Sequence, residues 1–151
     1  MRQLFLSLFL FFSSASPAEP VSTGYLDSIA IDGHDPVEYY SSEVRSKHIE
    51  VKGFKRFAVD WNNARWLFAS QASADKFEAD PDSYVPQYNG FCSNALALGE
   101  GLIRTDGTVW EFFGDKLHLF YAERGRQRWL DGDWASYKEE ADAAWEQLRN
   151  Q

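Results

Sequence analysis

Tyr84–Ala95 reads YVPQYNGFCSNA. Pro86 and the Asn89-Gly90 pair break any regular element through its middle, while Ser93–Leu98 carries the alanines and leucines of a helix that ends at Gly99. Cys92, the only cysteine of the chain, thus falls at or near a helix N-terminus. A thiol there has its thiolate favoured by the helix dipole, which suits metal ligation or nucleophilic attack. Tyr84, Gln87 and Tyr88 form a polar rim beside it and mark the place to look for a small-molecule pocket.

Before this stretch, Ser70 is positioned to cap a helix whose Ala74 and Phe77 face a sheet and which Pro81 stops. Three short strands are expected ahead of it, at 48–51, 56–60 and 64–68. Lys52-Gly53 and Trp61-Asn62-Asn63 supply the turns of an antiparallel meander. Ser41–Lys47 is polar and reads as a loop, and His48, next to Lys47 at a strand edge, as solvated. Farther back, Ile29–Tyr40 (IAIDGHDPVEYY) is a stiff corner: Asp32-Gly33 turns, Pro36 fixes its own φ and biases Asp35 towards extended backbone, and Val37–Tyr40 resumes as a strand or a helical turn. His34 and Asp35 are held on that corner.

After Cys92 a hairpin is expected from 109–113 and 116–121 about Gly114-Asp115. Alternation places Leu117, Leu119 and Tyr121 on one face and His118 with Phe120 on the other, so His118 points towards a site or outwards. Two helices close the chain, 123–130 and 134–148, the second capped by Asp133. Trp134, Tyr137, Ala141, Trp145 and Leu148 form its apolar stripe. The fold class is α+β: a small antiparallel sheet with short helices packed against it and a C-terminal helix.

Residues 1–18 have the pattern of a cleaved secretory signal peptide: Arg2, an apolar run from Leu4 to Phe12, then Ser16-Pro17-Ala18. The run is about half the roughly 20 residues that a membrane span needs. The mature chain is therefore expected to be exported, periplasmic or secreted, with no stable membrane insertion, a flexible lead-in at 19–28 and a single domain at 29–151. Losing Arg2 and no acid takes the formal charge from −8 to −9. So acidic a surface repels phosphate backbones, which argues against nucleic-acid partners. In an oxidising compartment a lone cysteine forms no internal disulfide, so the thiol is either buried or used. Six tryptophans, seven tyrosines and twelve phenylalanines fall mostly at core spacings and build the interior.

Taken together, IDGHDPVEYY, the strands leading to WLFAS, ADPDSYVPQYNGFCSNA and KLHLFYAERGRQRW followed by a helix with a late tryptophan resemble the exported YHS-domain family, over about Ile29 to Trp145. The resemblance implies a small α+β unit described as a metal-binding module, with related copies appended to copper and heavy-metal pumps. The recurrent positions it carries over are His34, Asp35, Pro36, Tyr84, Pro86, Gln87, Tyr88, Gly90, Cys92 and Trp129. Pump-associated members carry further cysteines at the corner that here reads Phe68-Ala69-Ser70. Ala69 ligates nothing, so the implied metal site is a mixed one of Cys92, His34, His118 and Asp35, suited to copper or zinc.

Three functions follow from these residues. The first is a metal-handling module centred on Cys92. The second is a non-catalytic domain that binds a small molecule or a protein, with Cys92 buried as a small apolar side chain. The third is a thiol enzyme with Cys92 as nucleophile, His34 as base and Asp35 orienting it. Catalysis ranks last, because no complete catalytic motif surrounds the thiol.

Overall fold

The computed structural model describes residues 17–151; the expected signal peptide lies, up to residue 16, outside them. The fold is α+β. The expected meander is a single antiparallel hairpin, β1 (Phe54–Trp61) with β2 (Ala64–Phe68), and the expected later hairpin is present as β3 (Trp110–Phe113) with β4 (Lys116–Leu119), each a separate two-stranded sheet.

The expected strand at 48–51 is not formed. His48 takes a left-handed φ of 50° at the end of a short helix, α1 (Ser42–Lys47). Its ring stacks on Trp110 with centroids 4.0 Å apart and planes within 8°, yet the residue stays exposed. The polar SEVRSK stretch expected as a loop is that helix. Ser41 caps it by accepting from the Val44 N–H, Lys47 pairs with Glu43 one turn earlier, and Val44 is its single buried anchor. One apolar residue in six leaves no periodicity to read.

β1 is irregular between Phe54 and Ala58 and then pairs regularly as far as Trp61–Ala64. Asn62 and Asn63, at φ 49° and 57°, make the turn. Just before β1, Gly53 crosses the end of β2 so closely that a Cβ would sit 2.3 Å from the Leu67 carbonyl carbon. Helix α2 (Gln71–Ala79) is capped as expected, Ser70 Oγ accepting from the Ser73 N–H at 3.1 Å. Ala74 and Phe77 bury against the first hairpin. Pro81 stops α2 and also opens the single turn α3 (Pro81–Tyr84), as suits a residue with fixed φ and no N–H to satisfy.

The remaining helices are α4 (Ser93–Ala97), α5 (Glu123–Asp131) and α6 (Trp134–Leu148). Asp133 caps α6 by accepting from the Ser136 N–H, and α6 packs on α4 and α5. Two apolar cores result. Tyr39, Trp66, Phe68, Phe77 and Trp110 belong to the first, and Tyr88, Phe91, Phe113, Trp129 and Trp145 to the second. The β3–β4 hairpin joins them, with Leu117 and Leu119 in the first core and Phe113 and Phe120 in the second. Both faces of that hairpin are therefore buried, which removes the outward face on which His118 was expected to have a choice. Among the described residues no helix is long and apolar enough to cross a membrane.

Candidate functional site

The YVPQYNGFCSNA stretch builds a knot. Tyr88, Asn89 and Gly90 all take positive φ, at 57°, 51° and 86°, which reverses the chain within three residues. A Cβ on Gly90 would meet Ile31 Cγ2 at 2.6 Å, so this position requires glycine both for φ and for space. The reversal turns the Asn89 backbone and side chain towards residues 19–22. The Asn89 carbonyl accepts from the Ser22 N–H at 3.0 Å, and its amide donates to Pro20 O at 3.0 Å and Glu19 Oε2 at 3.3 Å. Ser22 is fully buried; its carbonyl accepts from Ile31 N, and its Oγ from Thr105 N at 2.9 Å. Residues 19–22 of the lead-in are thus tied to the domain by hydrogen bonds.

Cys92 is 4% exposed. Its backbone N–H donates to Ile103 O at 2.9 Å, and Sγ caps α4 by accepting from Ala95 N at 3.4 Å. The expected helix N-terminus is present, but the thiol is spent on it. Thr105 Oγ1 donates to the Gly90 carbonyl at 2.7 Å. The knot therefore holds residues 103–105 on one side and the lead-in on the other.

The GHDPV corner holds the same loop from beneath. Both partners of His34 Nδ1 are carbonyls, Asp106 O at 2.8 Å and Ile31 O at 3.1 Å, so this nitrogen carries the proton and donates. Tyr39 Oη donates to Gly107 O at 2.7 Å. Asp35, fully buried, accepts on Oδ1 from Val37 N and Glu38 N and on Oδ2 from Ala69 N and Ser73 Oγ. That carboxylate ties the corner to the start of α2, and its lone pairs are engaged there. The Ala69 position, which supplies no side-chain ligand, supplies a backbone donor.

His118 lies in the second core, its ring 5.4 Å from Trp129, 5.6 Å from Phe113 and 6.0 Å from Tyr88. Nδ1 donates to Lys116 O at 2.9 Å, while Nε2 is buried without a partner. Burial pushes its pKa down to about 4, so the imidazole is neutral. Tyr88 donates to Asp142 Oδ1 at 2.7 Å, and burial together with that bond raises its pKa. Tyr84 meets Tyr40 edge to face at 5.6 Å.

The four expected metal ligands are thus each committed to separate neighbours. Among the described residues no group of three or more His, Cys, Asp or Glu is placed to hold a metal ion, and no hydrogen bond links Cys92 Sγ to an imidazole. The mixed Cys92, His34, His118 and Asp35 site is not assembled, because the first three serve as cap, loop clamp and core residue, and Asp35 as corner clamp. Nor do Tyr84, Gln87 and Tyr88 line either of two neighbouring cavities, of about 580 Å³ and 530 Å³.

Those cavities lie on the other side of the knot. One, of about 580 Å³, opens between the lead-in, the corner and the start of β1, with Lys52, Lys55, Thr105 and Tyr121 in its walls. The second, of about 530 Å³, is walled by Pro20, Val21, Phe91, Leu102 and Ile103. Tyr25, Arg104 and Tyr121 line both, so the two cavities adjoin at these side chains and are treated together as one groove. Tyr25 and Tyr121 are 85% and 71% exposed, and the Arg104 guanidinium lies 4.2 Å from the Tyr25 ring centroid. At the loop end, Asp106 would be raised by its partial burial, but hydrogen bonds from Thr108 and the field of His34 bring its pKa below the usual carboxylate value.

Sequence reasoning missed this groove. Its one legible signal was the cation Arg104 set between Ile103 and Thr105 in an otherwise acidic, featureless stretch. No family model, no curated protein and no solved structure matches the chain.

Proposed function

We propose that the chain is a non-catalytic binding domain, that its ligand is a small molecule held in the groove about Tyr25, Arg104 and Tyr121, and that Cys92 is structural. The observation that carries this is the junction of the two cavities at three side chains. Each cavity alone, at about 580 Å³ and 530 Å³, falls in the range of small-molecule sites. Tyr25 and Tyr121 present exposed aromatic surface there, beside the Arg104 cation, as a site for a small organic ligand requires. Burial of the thiol and its use as a cap favour this reading over metal handling and over thiol catalysis. The likeness of the sequence blocks to exported YHS-domain proteins, and export itself, belong to the same proposal; N-terminal sequencing of exported protein that begins near Glu19 is the outcome expected.

The test is amide NMR mapping of the mature domain against a set of small neutral, anionic and cationic aromatic and aliphatic fragments, with zinc and copper salts titrated separately. Shifts grouped at residues 23–33, 52–55, 102–106 and 121 are expected with at least one fragment. No grouped shift from any fragment would retire the groove as a site. Stoichiometric metal effects centred on Cys92, His34 and His118 would restore the metal reading instead.

A further inference from the structure

From the aliphatic side chains of the second cavity and the Arg104 cation shared by both, we infer that the ligand is an amphiphilic anion: a carboxylate or similar head group on an extended apolar tail. This rests on the groove being the binding site. Besides the shared Tyr25, Arg104 and Tyr121, the second cavity is walled by Pro20, Val21, Phe91, Leu102 and Ile103, all apolar, and it is of a size to take a hydrocarbon chain. The first is mixed and holds Lys52, Lys55 and Arg104. Arg104 is common to both, so a charge placed against it has the lysines of the first cavity on one side and the aliphatic side chains of the second on the other.

The acids of the first cavity are engaged locally. Asp32 pairs with Lys52 at 2.7 Å. Asp27 Oδ1 accepts from Ile29 N at 3.0 Å, and Asp106 Oδ1 accepts from Thr108 N and Oγ1. Among the described residues Arg104 and Lys55 form no salt bridge. Of the described cations without a salt bridge, these two line the concave surface, and they complement a negative head group.

Arg104 is also held in place. The Ile103 carbonyl is tied to Cys92 N, and Thr105 to Gly90 O and Ser22 Oγ. The residue between these tethers starts from a fixed backbone, which lowers the ordering cost of binding. Its planar guanidinium, resting on the Tyr25 ring, is the group best suited to a bidentate carboxylate contact.

Titration calorimetry of the mature protein with hexanoate, octanoate, decanoate, decanol and decyltrimethylammonium tests this, repeated on Arg104→Gln, Arg104→Lys and Leu102→Asp. Decanoate is expected to bind at one site and to tighten by up to about fourfold per added methylene, the value for full burial. Arg104→Gln is expected to weaken decanoate about tenfold or more, with partial recovery in Arg104→Lys and little change for decanol. Leu102→Asp is expected to abolish the chain-length dependence. Equal binding of decanol and decanoate, unaffected by Arg104→Gln, would leave the groove as a site and overturn the anionic class. Preference for the trimethylammonium compound would overturn it outright. No binding of any of the five, while fragments still map to the groove, would overturn the amphiphile alone. Failure of both experiments would remove the groove reading itself.

Discussion

His118 offers a sharp test of how this core is built. Its imidazole is fully buried among Trp129, Phe113 and Tyr88, and burial lowers its pKa from 6.5 to about 4. The charged groups that act on it are Lys138 and Lys116, which oppose protonation, and Asp142, which favours it. Above pH 6.5 the residue is neutral in both folded and unfolded chains, and its contribution to stability is fully present. Between 6.5 and 4 the unfolded chain takes up a proton that the native state refuses, so stability falls as pH falls, by about 1.4 kcal/mol per pH unit. Below 4 the native state protonates too and the loss levels off at about 3 kcal/mol. His118→Leu and His118→Phe remove the titration while keeping an apolar side chain in the site, at the loss of the bond to Lys116 O. Urea denaturation at pH 7.0 and 4.5 isolates the term, since other acids titrate alike in all three proteins. Wild type is expected to lose about 2 to 3 kcal/mol more than either variant between the two pH values. Equal losses would refute the argument that the imidazole is held neutral by its aromatic surroundings.

Other expectations follow from single contacts. The buried Cys92 thiol is expected to react with a small alkylating reagent at least about a hundredfold more slowly in the native than in the urea-unfolded protein; equal rates would show it accessible. Cys92→Ala, which removes the cap on Ala95 N, is expected to cost about 1 kcal/mol in denaturant melts, and a loss beyond about 4 kcal/mol would point to a role larger than capping. Gly90→Ala combines a positive φ with a Cβ placed 2.6 Å from Ile31 Cγ2, and about 3 kcal/mol or more of destabilisation is expected; a change under about 1 kcal/mol would show that the knot yields. Asp35→Asn turns one of two acceptor oxygens, each receiving two donors, into a donor facing donors, at an expected cost of about 2 to 4 kcal/mol. An unchanged melting curve would mean that the clamp contributes nothing.

The sequence pattern showed best where one residue sets the local backbone. Ser70, Asp133, Pro81 and the Gly114-Asp115 turn act at their own positions, and helix α6 announces itself through five apolar residues at helical spacing. The fold was less legible where a segment's conformation is decided by what it touches. His48–Val51 has strand-forming residues, but its backbone partners are elsewhere: Val51 O takes the Asp35 N–H and Lys52 bridges to His34. Residues 41–47 form a helix because of a cap, an ion pair and one anchor, none of which produces a periodic signal. His118 could not be assigned a side from alternation, since both faces of its hairpin are covered, and only the arrival of α5 and α6 determines that.

The same distinction explains why the residues that drew the eye are not the ones lining the groove. His34, Tyr39, Asn89 and Cys92 each spend a polar atom on the backbone of another segment and Gly90 accepts from the Thr105 hydroxyl, the segments so held being the lead-in and residues 103–107. Those two segments are the walls that carry Tyr25 and Arg104. The conspicuous motifs therefore read as scaffold, with the ligand-facing side chains on the plain stretches that the scaffold holds. One consequence separates this view from any direct role of His34. Removing the imidazole frees the Asp106 carbonyl and loosens the Arg104 wall, so His34→Ala is expected to weaken anion binding through added mobility of residues 103–107, visible in amide exchange. Weaker binding with unchanged exchange in that loop would place His34 in contact with the ligand itself.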